Sequence, residues 1–252
     1  MTRANEPGAV NDNTAGFDVE VTDLTVDFKD TRALDKVSAR FPAGTISGLL
    51  GRNGSGKTTM LSTLAAFRRP DAGTILVDGE DPWENQRIME RTCLIRESGD
   101  LLTDERLRTN LDFLSAFRPS FDMDFAEQLM DAFELAPKRR LDRLSRGQQS
   151  SFAVVVGLAT RAPLTMFDEV HLGMDAVARY TFYELMLEDY AANPRTIVLS
   201  SHLINEIEKQ LEHLVVLEKG QVALTGDADE ARSQHPGGLQ ELIVELGRKS
   251  RG

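Results

Sequence analysis

The sequence predicts an α/β core interrupted by an α-helical subdomain, on three observations. Short apolar runs at 45–50 (TISGLL), 164–167 (LTMF) and 196–199 (TIVL) each end in a glycine-rich or polar turn, as buried strands do. The segment after the first of them, 59–67, has the apolar period of a helix. The middle of the chain, about 98–160, carries helical spacing and no strand signal. A length of 252 residues suits one large domain or two small ones, and 41% hydrophobic with 27% charged residues is ordinary for a globular chain.

The elements follow in order. Residues 1–16, rich in Asn, Asp, Gly and Ala, have almost nothing to bury and are expected to form a disordered tail. Phe17, Val19 and Val21 alternate with polar residues, as do Leu24, Val26 and Phe28, which is strand periodicity. The breaker at 70–73 (PDAG) precedes a strand and turn at 74–79. Leu107, Leu111 and Leu114 share one helix face. Phe125, Leu129, Met130 and Phe133 share another, which Pro137 stops. An apolar helix is expected at 152–158 and another helix at 176–190. Val215-Val-Leu217 and Val222-Ala-Leu224 flank a Lys219-Gly220 turn and read as a hairpin. A last helix is expected around 239–246, before a basic end.

Forty acidic against 29 basic residues give a net charge of −11, which repels phosphate backbones and argues against general nucleic-acid binding. A local basic pocket for one nucleotide is still compatible with it. The single cysteine, Cys93, forms no intrachain disulfide and suits a reducing compartment. The longest apolar stretches, such as 152–159, fall far short of the roughly 20 residues of a spanning helix. The first residues lack a signal-type apolar core. A cytoplasmic location is expected, with any membrane role exercised through a partner.

The densest chemistry lies at Gly51-Arg-Asn-Gly-Ser-Gly-Lys-Thr-Thr59, between a strand and a helix. Gly51, Gly54 and Gly56, with Asn53, Ser55 and Thr59, let backbone N–H groups curl around phosphates, and the helix N-terminus adds positive potential. Lys57 can reach β- and γ-phosphates, and the Thr58 hydroxyl suits a hard cation such as Mg²⁺. Downstream, an apolar strand carries Asp168 toward such a metal, and Glu169 follows as a base for an attacking water. His202 ends the run Ser200-Ser201-His202 and can bond a γ-phosphate or hold that water, or simply close a strand. His171, His213 and His235 lack metal-ligand spacing and read as surface or structural residues. Leu144-Ser145-Arg146-Gly147-Gln148 opens an apolar helix, where Ser145 also has the plain reading of an N-cap.

Together these motifs resemble the ATP-binding subunit of ABC transporters over about 17–226. Residues 51–59 resemble its Walker A motif, 164–169 its Walker B motif with the catalytic glutamate, and 144–148 its LSGGQ signature. Gly173-Met174-Asp175 resembles the D-loop, and His202 the switch histidine. Phe28 stands where the family stacks an aromatic on adenine, the alternative being plain core. The resemblance implies a P-loop NTPase core with the inserted helical subdomain and an antiparallel β subdomain. It also implies ATP and Mg²⁺ as cofactors, with Ser145, Gly147, Gln148 and Asp175 serving the nucleotide. Residues 227–252 would be a C-terminal helix and tail. A second ATPase subunit would pair head to tail with the chain. A separate transmembrane permease, of the bacterial export type, would hold it on the inner face of the membrane, docked near the helical insert.

Three positions depart from the family pattern. Arg146 replaces the first signature glycine, and Val170-His171 stand where Pro-Thr is usual. Glu97 falls at the place of the Q-loop glutamine, as a further metal ligand, with Arg96 the alternative register. Two other readings stay open: a soluble ABC ATPase acting on DNA or ribosomes, and a nucleotide sensor that scarcely turns ATP over.

Overall fold

The computed structural model describes residues 16–96, 101–202, 207–235 and 238–249. All but Gly16 of the expected tail lies outside them. Gly16 itself packs so closely that a Cβ would sit 2.3 Å from the Thr196 nitrogen, and the Phe17 ring is fully buried.

Two sheets share the chain. A three-stranded antiparallel sheet has the order β2-β1-β4, with β1 at Val19–Phe28, β2 at Thr31–Phe41 and β4 at Ala72–Val77. A six-stranded sheet has the order β5-β6-β7-β3-β8-β9. Its strands are β3 (Ile46–Leu50), β5 (Thr92–Arg96), β6 (Leu164–Asp168), β7 (Thr196–Ser201), β8 (His213–Glu218) and β9 (Gln221–Asp227). Every pair from β5 to β8 is parallel, and only the β8–β9 hairpin runs antiparallel. Parallel strands need covered faces, and β3, β6 and β7 are accordingly buried at every position.

Helix α1 (Lys57–Leu64) follows β3 directly, and the short α2 (Gln86–Met89) precedes β5. Between β5 and β6 run α3 (Leu107–Phe117), α4 (Met123–Ala132) and α5 (Arg146–Thr160), with no named strand among the described residues. The apolar faces of α3 and α4 meet α5, and all three share one core with β5, β6 and β7. Helix α6 (Ala176–Ala192) crosses from β6 to β7. Helices at Ala228–Ser233 and Gly238–Lys249 close the described chain. No helix among the described residues is long and apolar enough to cross a membrane.

Two strands were not singled out from sequence. In β2 the buried positions run Leu34, Val37, Ala39 and Phe41, and register shifts in its pairing with β1 break the two-residue period. In β5 four of five residues are buried, so nothing alternates. The helix expected at 59–67 ends at Leu64, where Ala66 turns left-handed with φ 57°.

Candidate functional site

The parallel strands all deliver their C-terminal ends to one edge of the sheet, and the residues after β3, β6 and β7 gather there. After β3 the loop 51–56 turns back through three glycines at positive φ: Gly51 (149°), Gly54 (79°) and Gly56 (109°). Two are also excluded by contact. A Cβ on Gly51 would lie 2.3 Å from the Leu217 carbonyl oxygen, and one on Gly56 would lie 2.8 Å from that of Ala33. Gly56 is the N-cap of α1, with no side-chain cap and no acidic residue in the first turn. The first N–H groups of α1 therefore have no partner within the helix and face the loop, an arrangement suited to an anion.

Lys57 is folded back into this loop, its side chain only 4% exposed. Its Nζ donates to the carbonyls of Gly51 (2.9 Å) and Arg52 (3.2 Å) and pairs with Glu169 Oε1 at 3.0 Å. Glu169 stands just past β6 in the left-handed region, φ 51°. Such a backbone costs a non-glycine residue about 1–3 kcal/mol and collects at functional sites. Its other oxygen, Oε2, lies 2.7 Å from His202 Nδ1. An ionised carboxylate only accepts, so the proton of this bond resides on Nδ1. Burial opposes the charge on Glu169, but the Lys57 ammonium and then His202 outweigh it and hold its carboxyl below the usual range.

Asp168, the last residue of β6, is buried and accepts from Ser200 Oγ at 2.8 Å. A cleft of about 770 Å³ opens over this edge, lined among others by Asn53, Lys57, Thr58, Asp168 and Glu169. The Thr58 hydroxyl and the Asp168 carboxylate face one cleft as hard oxygen donors, so the residues present fit Mg²⁺.

Other expected residues are placed differently. Phe28 is 45% exposed at the end of β1, with the Arg68 guanidinium 4.1 Å over its ring, and it does not line the cleft. Residues 31–33 of β2 line it instead, with Lys219. Sequence reasoning missed these because β2 itself went unrecognised. Ser145 is the N-cap of α5, and its hydroxyl accepts from the Gln148 N–H at 3.2 Å while Gln148 Oε1 accepts from the Ser145 N–H, a reciprocal capping box. Gly147 approaches the turn 170–173 so closely that a Cβ would lie 2.9 Å from the Gly173 carbonyl oxygen. Asp175 caps α6 by accepting from the Ala178 N–H. Neither Ser145, Gly147, Gln148 nor Asp175 lines the cleft. Glu97 lies outside the described residues. Arg96 lines the cleft at the end of β5, level with Asp168 in the strand register, its guanidinium 5.3 Å over Phe67. His171, read from sequence as surface or structural, is buried, 3% exposed.

Comparison with known proteins agrees with this geometry. The family pattern described as ABC transporter matches residues 34–171. The ABC transporter ATP-binding protein YtrB of Bacillus subtilis is 30% identical over 217 residues, covering 86% of this chain and 74% of that protein. The daunorubicin resistance ATP-binding protein DrrA3 of Streptomyces coeruleorubidus is 28% identical, covering 88% and 74%. A solved ATP-binding subunit of an ABC transporter superposes with a TM-score of 0.81 at 26% identity, covering 91% of this chain and 99% of that one. A bacterial ABC transporter cassette solved as a dimer shares the fold, with a TM-score of 0.75 at 20% identity, covering 83% and 98%. The chain belongs to the ABC transporter family, as one of its ATP-binding, ATP-hydrolysing subunits.

Proposed function

We propose that the cleft over β3, β6 and β7 holds ATP with Mg²⁺, and that its hydrolysis between two head-to-tail subunits drives a separate membrane permease. The observation that carries this reading is the chain of contacts Lys57–Glu169–His202, which joins the phosphate loop to a base and the base to a histidine.

The residues divide the work. Gly51 to Thr59 cradle the phosphates with backbone N–H groups, and Lys57 neutralises their charge. Lys57 cannot give its full charge to both partners at once. Arriving phosphates draw it from Glu169, and the carboxylate is then able to accept a proton from a water. Proton transfer of this kind is worth about 10²–10⁴-fold in rate. His202 orients Glu169 through Nδ1 and presents Nε2 on the far side of its ring. Thr58 and Asp168 would hold Mg²⁺, and Glu97 is kept as a further ligand on sequence alone. Bound there, the metal would neutralise phosphate charge.

Ser145, Gly147, Gln148 and Asp175 are assigned to the nucleotide of the second subunit. Their absence from this chain's own cleft supports use in trans. The permease side is assigned to the helical stretch after β5, where the exposed rings of Phe113 and Phe117 lie 4.9 Å apart. Whatever the permease moves is set by that subunit. Equilibrium binding of a fluorescent ATP analogue to wild type and Lys57→Ala tests the site. The variant should lose most of its affinity, and unchanged binding would place the nucleotide elsewhere.

A further inference from the structure

His171 is 3% exposed in the turn that follows β6. Ser200 and Ser201 end β7 and His202 follows it, and each is tied to the end of β6 or to the turn just after it. Ser200 Oγ donates to Asp168 Oδ1 at 2.8 Å, Ser201 Oγ lies 3.2 Å from His171 Nε2, and His202 Nδ1 lies 2.7 Å from Glu169 Oε2. Side chains alternate along a strand, so Ser200 and Ser201 leave opposite faces of β7. The His171–Ser201 contact thus holds the strand end from the face opposite the Ser200–Asp168 bond. Both residues are almost fully buried, so water does not readily replace either partner.

The turn carrying His171 is itself anchored. A Cβ on Gly173 would lie 2.3 Å from Ser150 Oγ of α5, and Gly147 presses on the same turn. The His171 ring lies 6.4 Å from that of His202, tilted by 43°. The threonine usual at this place in the family ends one bond past Cβ. The imidazole carries its Nε2 three bonds past Cβ, far enough to reach Ser201.

We propose that His171 is a positioning residue: through Ser201 it fixes the end of β7, and with it the His202 ring, in register with Glu169 for hydrolysis. The proposal rests on the roles given above to Glu169 and His202. His171 does not line the cleft and acts through the strand end.

The test measures kcat and ATP affinity for His171→Leu, His171→Gln and Ser201→Ala, each alone and in a His202→Ala background, with Glu169→Gln as a control. Displacement of a reacting group by a fraction of an ångström changes rates severalfold or more. His171→Leu and Ser201→Ala should each lower kcat about tenfold with ATP affinity held within about twofold, and His171→Leu combined with Ser201→Ala should lose no more than either alone. His171→Gln, whose amide lies the same three bonds past Cβ, should recover most of the loss. In the His202→Ala background neither change should lower kcat further.

Wild-type kcat in His171→Leu, or an undiminished loss in the His202→Ala background, would overturn the proposal. So would a fall in affinity matching the fall in kcat, which marks general damage. Full activity in Glu169→Gln would instead refute the assignment of the site itself.

Discussion

Replacing Glu169 by Gln keeps the shape of the side chain and removes its charge, and it should move ATP affinity and turnover in opposite directions. Lys57 Nζ lies 3.0 Å from Glu169 Oε1, with the side chains 4% and 16% exposed. At an effective dielectric of about 20, unit charges at this distance attract by about 5 kcal/mol before solvation is counted. Desolvation offsets much of that, and hydrogen bonds to charged groups retain about 1.5–3 kcal/mol. ATP must overcome this pair to engage Lys57. Glu169→Gln lifts the competition and leaves the carbonyls of Gly51 and Arg52 as the remaining partners. ATP should then bind roughly ten- to a hundredfold tighter, at about 1.4 kcal/mol per decade. Turnover should fall by about 10²-fold or more, because the amide accepts no proton. Equilibrium nucleotide binding and phosphate release on the same preparation measure both. Turnover lost with affinity unchanged or weakened would show that Glu169 does not compete with the nucleotide for Lys57.

Two further expectations concern pH and stability. The Glu169 carboxyl is held below the ordinary carboxylate value of 4.5, so the acid limb of kcat/KM should lie below pH 4.5. For the same reason its contribution to stability is complete above the unfolded value and is lost as pH falls through the folded one. A limb near neutrality in the pH–rate profile would assign the base to another group. Away from the site, Asp189 is 1% exposed and pairs with Arg195 (2.7 Å) and Arg161 (2.9 Å). Asp189→Ala leaves the buried Arg195 without a carboxylate, while Arg161 keeps Asp122 at 2.6 Å, and should cost about 3–5 kcal/mol, a drop in Tm of roughly 10 °C read by thermal unfolding.

What the sequence disclosed follows from where each signal is stored. The phosphate loop was legible because its chemistry is local: glycines at fixed spacing, a lysine, and a strand before and a helix after. Asp168, Glu169 and His202 were legible because each closes an apolar run. Their mutual contacts were not, since β3, β6 and β7 meet only through sheet order β6-β7-β3. The Lys57–Glu169 pair joins residues more than a hundred positions apart, and no periodicity encodes it. The β2 strand was hidden by register shifts that break its alternation, and with it the contribution of 31–33 to the cleft. His171 read as a surface or structural residue because a lone histidine carries no spacing. Its contact with Ser201, at the end of the neighbouring strand, is visible only in the fold. Ser145 shows the reverse case, in which the plain reading as an N-cap holds and the motif reading is proposed for a second subunit.

The central claim is that two subunits close around ATP, with the signature of one facing the phosphate loop of the other. Multi-angle light scattering of Glu169→Gln, with and without ATP, tests it most directly. The account predicts a single-chain mass without nucleotide and twice that mass with ATP, because the variant binds but does not reset. Adding Ser145→Arg should return the ATP sample to the single-chain mass, with total helix content by circular dichroism unchanged. A mass that ignores ATP, or a dimer that survives Ser145→Arg, would contradict the account.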